Sequence, residues 1–228
     1  MNKVLVIAAH PDDDVLGGGG TLAKMTLAGC NVRVVFIAEG TTCRFQSGHP
    51  IKEINNEISK REKYAKLALS ILGVNDVCFH NLPCGKLDQF PILEINKIIE
   101  KEIKLFSPDT ILTHSSVDAN SDHRRVNESI IMATRPGALN LVESILCFEV
   151  LSSTEWKFSN SFTPNYFVSL GKNEAEKKVK SMKAYESEVG DFPFPRSEKG
   201  IMSMLRVRGM QSGSEYAEAF EILRIIKR

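Results

Sequence analysis

The chain is predicted to form a single α/β domain over residues 1–228, with a Rossmann-like, mostly parallel sheet that has helices on both faces and is extended by C-terminal elements. Apolar runs of strand length alternate with helical patterns as far as Val150, which is typical of a parallel, doubly wound sheet. No internal repeat or linker divides the chain. With 228 residues, 43% hydrophobic and 25% charged, it is long enough to bury one substantial core.

The predicted elements follow one another in the order that such a sheet requires. Continuous apolar runs indicate strands, and apolar residues at helical spacing, ended in places by glycine, indicate helices. Strands are predicted at 4–9, 31–38, 76–80, 110–113, 144–150, 165–170 and 219–226. Helices are predicted after the first strand as far as Gly29, and at 54–72, 91–106, 121–133 and 173–188.

Three consecutive aspartates follow the first predicted strand. Val4–Ala9 is the kind of apolar run found in central parallel strands, and it ends in His10–Asp14 (HPDDD). Pro11 favours an extended conformation for His10, and the three adjacent carboxylates repel one another. A divalent metal would neutralise them, because imidazole and carboxylate are its usual ligands. The alternative is that one aspartate only caps the following helix.

A second strand-to-helix turn has a similar composition. The strand Thr110–Thr113 is followed by a polar turn that contains His114, Asp118, Asn120, Asp122 and His123, in which Ser121 and Asp122 are suitable helix caps. If this strand lies beside the first, their carboxyl ends meet at the topological switch point, where ligands bind in open α/β sheets. We therefore expect His10, Asp13 and His123 to converge. Two histidines and one carboxylate with open positions are typical of a catalytic metal site.

Together the two motifs resemble those of the PIG-L/LmbE-like family of metal-dependent N-deacetylases. The resemblance rests on residues 8–13 (AAHPDD) and 118–123 (DANSDH), with further similar stretches at 152–156 (SSTEW), 195–197 (PRS) and 217–221 (AEAFE). It implies that His10, Asp13 and His123 hold the metal, either Zn²⁺ or another divalent ion such as Fe²⁺. It also implies that Asp12 is the general base that takes a proton from metal-bound water.

Two positions depart from the family pattern. Asp14 stands where glutamate is common and is interpreted as a residue behind the ligands or a helix cap. Asn120 stands where many relatives carry a histidine assigned to oxyanion stabilisation or proton donation. An asparagine amide donates a hydrogen bond but supplies no proton at neutral pH. Either Asp12 performs both proton transfers or His114 reaches the site from its strand end, the alternative for His114 being a hydrogen bond to the backbone.

Two arginines are candidate substrate-binding residues by the same resemblance. Arg61 matches a position associated with substrate contact, and Arg196 lies in a proline-stiffened loop at 192–197, which in the family sits beside the active site. The alternative for Arg196 is a surface arginine that closes a turn. The expected reaction is removal of an acetyl or other acyl group from an N-acylated amino sugar or its conjugate. An amidase acting on a thiol–sugar conjugate and a non-catalytic metal- or carbohydrate-binding protein are the alternatives.

The composition disfavours nucleic acid and membranes as partners, so the expected partner is a small-molecule substrate. Twenty-nine basic and 28 acidic residues give a net charge of +1, which provides no overall field for nucleic acid or for an anionic membrane. No apolar run approaches the roughly 20 residues of a membrane span. The first residues are interpreted as a strand and not as a secretory signal. The sequence leaves open whether the protein is a homo-oligomer.

The five cysteines and the glycine run lack the spacings of a disulfide framework, a zinc knuckle or a dinucleotide-binding loop. The cysteines are scattered, odd in number and without a C-x-x-C pair, which favours reduced thiols in a cytoplasmic protein. Gly17–Gly20 follows three aspartates, lacks the G-x-G-x-x-G spacing and is not followed by Lys-Ser/Thr, which disfavours a dinucleotide-dependent oxidoreductase. We expect these glycines to let the first helix pack closely against the sheet.

Overall fold

The computed structural model describes residues 1–137 and 142–227 and contains one seven-stranded sheet. The strands are β1 (Lys3–Ala8), β2 (Asn31–Ala38), β3 (Asp76–Leu82), β4 (Thr110–His114), β5 (Ser144–Phe148), β6 (Tyr166–Leu170) and β7 (Tyr216–Ile225). Their order in the sheet is β3-β2-β1-β4-β5-β7-β6. The first five strands pair in parallel, whereas β7 is antiparallel to both β5 and β6.

Helices cover both faces of the sheet. They are α1 (Asp13–Leu27), α2 (Ile51–Leu72), α3 (Ile92–Phe106), α4 (Ser121–Ala133), α5 (Lys172–Lys183) and α6 (Glu198–Ser212). Alternate side chains of β1 enter different cores, because successive residues of a strand point to opposite faces. Val4 and Val6 pack with residues of α1, α2, α5 and α6, whereas Leu5 and Ile7 pack with residues of α3 and α4.

The predicted fold class is confirmed, and so is the predicted neighbour of the first strand. β4 lies directly beside β1, with Val4 opposite Thr110 and Val6 opposite Leu112. The chain enters β2 on one side of β1 and crosses to β4 on the other, so the switch point lies between the carboxyl ends of β1 and β4. The glycines of α1 permit close packing there, since a Cβ on Gly17 would lie 2.3 Å from the Phe148 ring.

The structure differs from the sequence-based elements in several places. Helix α2 begins at Ile51 and not at Ile54, and α5 ends at Lys183 and not at Glu188. Helix α6 was not predicted; Ser197 caps its first turn by accepting from the Gly200 N–H, and Gly213 ends it with a φ of 72°. β7 begins three residues before the predicted strand, at Tyr216. Asn120, and not Ser121 or Asp122, is the N-cap of α4. None of the helices in the described ranges combines the length and apolar character that crossing a membrane requires, and the five cysteines are free thiols.

Candidate active site and metal centre

The three predicted metal ligands come together at the switch point. One donor atom from each of His10, Asp13 and His123 lies within 4.8 Å of the other two, and all three residues are buried. His10 Nδ1 is 3.4 Å from Asp13 Oδ2, and His123 Nε2 is 3.3 Å from Asp13 Oδ1. Donors bonded at about 2.0–2.1 Å to one tetrahedral ion are separated by about 3.3 Å. The donor set therefore fits a single divalent cation.

A second carboxylate stands behind each histidine. His10 Nε2 donates to Asp122 Oδ2 at 2.9 Å, and Asp122 also accepts from the backbone N–H groups of Gly85 and Leu87. His123 Nδ1 lies 3.2 Å from Asp118 Oδ1. Carboxylates in this position fix the tautomer and the ring orientation of metal-binding histidines. Nδ1 of His10 and Nε2 of His123 are thus the nitrogens directed towards Asp13.

Asp118 is held in turn by the loop after β5. It accepts hydrogen bonds from the hydroxyls of Ser153 and Thr154. Burial raises the pKa of Asp118, but hydrogen bonds from His123 and from the two hydroxyls outweigh it and bring the pKa down to about 2. Asp118 is therefore ionised at neutral pH, and it positions His123. The sequence analysis noted residues 152–156 only as a resemblance and did not predict these contacts.

The protonation of the cluster also matches a cation site. Burial lowers the pKa of His10, but hydrogen bonds to Asp122 and Asp13 raise it overall to about 9. Burial likewise opposes the charged form of His123, but Asp13 and Asp118 raise its pKa to about 10. The pKa of Asp13 is held well below its usual value, because the charge on His123 and the hydrogen bonds with His10 and His123 outweigh the effect of burial. In the metal-free protein both histidines are therefore protonated at neutral pH, and their positive charges balance that of the Asp13 carboxylate.

His114 lies beneath His123 and is fully buried. The two rings stack with centroids 3.9 Å apart, and Phe148 meets His114 edge-on at 4.9 Å. His114 Nε2 accepts a hydrogen bond from the Ala9 N–H at 2.8 Å. Burial and the neighbouring His123 charge lower the pKa of His114 to about 3, so that it is neutral. The structure thus shows the backbone hydrogen bond that the sequence analysis gave as the alternative to a catalytic role.

Asp12 adjoins the donor set and is held by two arginines. Its backbone has a φ of 115°, a conformation that residues with a Cβ rarely adopt and that is often found at functional sites. Asp12 Oδ2 lies 3.1 Å from Arg61 Nη2 and 2.8 Å from Arg196 Nη1. Burial raises the pKa of Asp12 above its ordinary value, although both arginines oppose this shift. Both arginine contacts are made to Oδ2 and not to Oδ1.

Glu188 completes this ion-pair network and was missed by the sequence analysis. It pairs with Arg61, Arg196 and Arg44, and together these contacts lower the pKa of Glu188 to about 2 against the effect of burial. Arg61 additionally donates to the Pro11 carbonyl at 2.7 Å. No local pattern marks Glu188, because its partner Arg61 is 127 residues away in the sequence.

The two positions that depart from the family pattern have different surroundings. Asn120 is half-buried, and its Oδ1 accepts from the Asp122 N–H at 2.9 Å, so that it caps α4. Asp14 lies within the first turn of α1 and does not cap it. Neither carboxylate oxygen of Asp14 has a hydrogen-bond partner, and burial together with Asp12 raises the pKa of Asp14 to about 7.

A Rossmann-like sheet with a His–Asp–His donor set at its switch point is the arrangement of an α/β enzyme with a candidate metal centre. Comparison with protein-family models then identifies the particular family. Residues 5–134 match PIG-L, described as GlcNAc-PI de-N-acetylase. The chain belongs to this family. It is thus an enzyme of the N-deacetylase class, whose members hydrolyse amide bonds.

The similarity to known proteins, in sequence and in structure, extends over nearly the whole chain. Diacetylchitobiose deacetylase of Thermococcus kodakarensis is 28% identical over 98% of this chain and 84% of its own length. The solved N,N'-diacetylchitobiose deacetylase of Pyrococcus horikoshii, in complex with an inhibitor, has a TM-score of 0.78 at 23% identity and covers 98% of this chain and 84% of its own. The 4-carboxy-2-hydroxymuconate hydratase of Pseudomonas putida has a TM-score of 0.74 at 19% identity, covering 100% and 99%. The fold therefore also occurs in an enzyme of a different reaction class.

Proposed function

We propose that the protein is a divalent-metal-dependent hydrolase that removes the acetyl group from an N-acetylated amino sugar or its conjugate. The observation that carries the proposal is the convergence of His10, Asp13 and His123 beside Asp12. The family description and the diacetylchitobiose deacetylase of T. kodakarensis support an N-acetylglucosamine-type substrate. Two nitrogens and one oxygen suit Zn²⁺, and the same donors accommodate Fe²⁺.

In this mechanism the protein positions a proton acceptor next to the cation site. His10, Asp13 and His123 would hold the cation, which would supply Lewis acidity towards the amide carbonyl. Asp12 accepts a proton from the attacking water and returns it to the leaving amine. Arg61 and Arg196 fix Oδ2 of Asp12, so that Oδ1 performs the exchange. Burial of Asp12 raises its pKa, which makes the carboxylate a stronger base towards the attacking water.

The remaining predicted site residues have supporting roles in the proposal. Asn120 uses Oδ1 to cap α4, which leaves its amide N–H₂ to donate to the developing oxyanion. His114 positions His123 by stacking, and Asp12 therefore carries both proton transfers. Arg61 is committed to Asp12, Glu188 and the Pro11 carbonyl, which makes it a positioning residue. The side chain of Arg196 is 18% exposed and is the candidate for contact with a substrate hydroxyl.

The test compares two neighbouring aspartates. Release of amine from N-acetylglucosamine and from N,N'-diacetylchitobiose is measured with and without a chelator, alongside the metal content of each variant. Asp12→Asn is expected to keep its metal and lose about 10²–10⁴-fold in turnover. Asp13→Asn is expected to lose the metal itself. Asp88→Asn, at an exposed position, is the matched control and should behave like the wild type.

The outcomes separate this proposal from its alternatives. Full activity of Asp12→Asn would refute its role in proton transfer. Amine release from a thiol–sugar conjugate but not from the two acetylated sugars would identify the amidase alternative. Retained metal with no amine release from any N-acyl substrate would favour a binding protein or a reaction such as the hydration catalysed by the P. putida enzyme of the same fold.

A further inference from the structure

A cysteine, a histidine and a glutamate meet at the free edge of the sheet, away from the site described above. Cys78 and His80 are two residues apart on β3, the edge strand, and their side chains therefore lie on one face of it. Glu102 lies on α3, which packs against that face. Glu102 is buried, whereas Cys78 and His80 are half-buried, so that solvent reaches one side of the cluster.

The spacing of the three donor atoms matches that around one metal ion. Cys78 Sγ is 3.7 Å from His80 Nε2 and 3.7 Å from Glu102 Oε1, and the latter two atoms are 3.1 Å apart. Ligands of tetrahedral zinc at the usual bond lengths are separated by roughly 3.5 Å for pairs with sulfur and roughly 3.3 Å for nitrogen and oxygen. The point equidistant from the three donor atoms lies about 2.0 Å from each of them. An ion slightly above the plane of the three atoms would therefore be at bonding distance from all of them.

The surroundings hold the carboxylate in the orientation that such an ion requires. Arg33 Nε and Nη2 both donate to Glu102 Oε2, at 3.1 and 2.9 Å. Oε1, the atom that faces Cys78 and His80, is therefore free of the arginine. The hydrogen bonds from Arg33 would thus orient the carboxylate for binding a cation through Oε1, as is usual for carboxylate ligands.

A nucleophilic triad explains the cluster less well. In such a triad the cysteine and the carboxylate contact different nitrogens of the histidine. Here both approach Nε2. Burial and the Glu102 charge also raise the pKa of Cys78, which keeps the thiol protonated in the absence of a cation and makes it a poor nucleophile.

We propose that Cys78, His80 and Glu102 form a second cation site, for Zn²⁺, with solvent in the fourth position. The thiolate, imidazole and carboxylate donors are those that zinc prefers. An ion there links the edge strand β3 to α3 and stabilises that edge. The proposal is independent of the reaction at the switch point, since the two sites share no residue.

Cobalt spectroscopy distinguishes this site from the first. Protein is stripped with a chelator and refilled stepwise with Co²⁺, while bound metal and the near-ultraviolet thiolate-to-cobalt charge-transfer band are recorded. The His10–Asp13–His123 set contains no sulfur, so the band reports on a cysteine ligand. Within the described ranges, His10, Cys84 and Asp122 form the other sulfur-containing donor set, which makes Cys84→Ser the matched control.

We expect two equivalents of Co²⁺ in the wild type and a band that Zn²⁺ abolishes. Cys78→Ser should lose one equivalent, the whole band and the part of the Zn²⁺-induced rise in Tm that the second site contributes, while keeping amine release. Cys84→Ser should retain the band. One equivalent without a band, a band that persists in Cys78→Ser, or one that disappears in Cys84→Ser would overturn the proposal. If Cys78→Ser does not fold, His80→Asn is used, and an unchanged cobalt titration in that variant would likewise refute the site.

Discussion

The close packing of α1 on the sheet is tested by two neighbouring glycines. A Cβ at position 17 would lie 2.3 Å from Phe148 Cδ2 and 2.4 Å from Cγ, a distance at which the buried ring or the helix must move. A Cβ at position 18 would meet its nearest neighbour, Phe220, at 3.9 Å, an ordinary van der Waals contact. Gly17→Ala and Gly18→Ala therefore differ in steric fit and not in the type of substitution.

The magnitude follows from two opposing terms. Alanine favours a helix interior over glycine by about 1 kcal/mol, and this gain is common to both variants. Overpacking a filled core costs about 1–3 kcal/mol, and only Gly17→Ala has this cost. The free energy of unfolding of Gly17→Ala should thus be about 1–3 kcal/mol below that of Gly18→Ala. For a chain of this size each kcal/mol changes Tm by about 2–4 °C.

Displacement of Phe148 by the alanine at position 17 should also disturb the candidate active site. Phe148 packs edge-on against His114, and His114 stacks on His123. Displacement of the Phe148 ring should therefore lower both the metal content and the amine release of Gly17→Ala. Thermal unfolding by circular dichroism and metal analysis measure the two effects. If Gly17→Ala melts at or above the temperature of Gly18→Ala, the close approach of α1 to β5 is wrong.

Three further predictions concern the site itself. Asn120→Asp keeps the oxygen that caps α4 but loses the amide donor, so Tm should hold while kcat falls about 10²-fold; Asn120→Ala should also lose about 1 kcal/mol of stability. Glu188→Gln removes a charge that raises the pKa of Asp12, so the acid limb of the kcat/KM profile should move to lower pH. Binding of a divalent metal to the metal-free protein at pH 7.5 should release about two protons, because His10 and His123, with pKa values of about 9 and 10, are charged at that pH. Calorimetry of metal binding in buffers of different ionisation enthalpy measures the number of protons released.

The same two histidines give the metal-free protein a pH-dependent stability. Their pKa values are raised above the ordinary 6.5, so the folded chain binds more protons than the unfolded chain between these values. The stabilisation is complete below about pH 6.5 and is lost as the pH rises through 9 to 10. Urea unfolding of the metal-free protein at pH 6 and pH 10 measures the loss, and equal stability at both would contradict these pKa shifts.

The sequence predicted the centre of the site because that centre depends on topology. His10 and Asp13 follow β1, and His123 follows β4, so the adjacency of two parallel strands is sufficient to bring them together. Both strands are apolar runs that periodicity identifies. The residues around the centre depend on packing between distant elements, and nothing local encodes that packing. Glu188 meets Arg61 only because α5 lies against α2.

Helix α6 was missed for a related reason. Its buried positions, Ile201, Leu205 and Gly209, recur every fourth residue, but methionines and arginines between them blur the apolar face. The caps were the better signal, since Ser197 precedes the helix and Gly213 follows it. The cluster of Cys78, His80 and Glu102 was missed as well, because Glu102 reaches the strand only after α3 has packed on the sheet.

The proposed split of roles between Asp12 and Asp13 matches the different cationic partners of the two carboxylates. Asp13 lies between two histidines whose outer nitrogens face carboxylates, with its Oδ2 3.4 Å from His10 Nδ1 and its Oδ1 3.3 Å from His123 Nε2. Asp12, at a positive φ, turns instead towards Arg61 and Arg196, which take one oxygen and leave the other. Arginine stays protonated at any pH at which the enzyme folds, so it holds Asp12 in place without exchanging protons with it. A change of partner, and not of residue type, would therefore be sufficient to separate the proposed metal ligand from the proposed proton carrier.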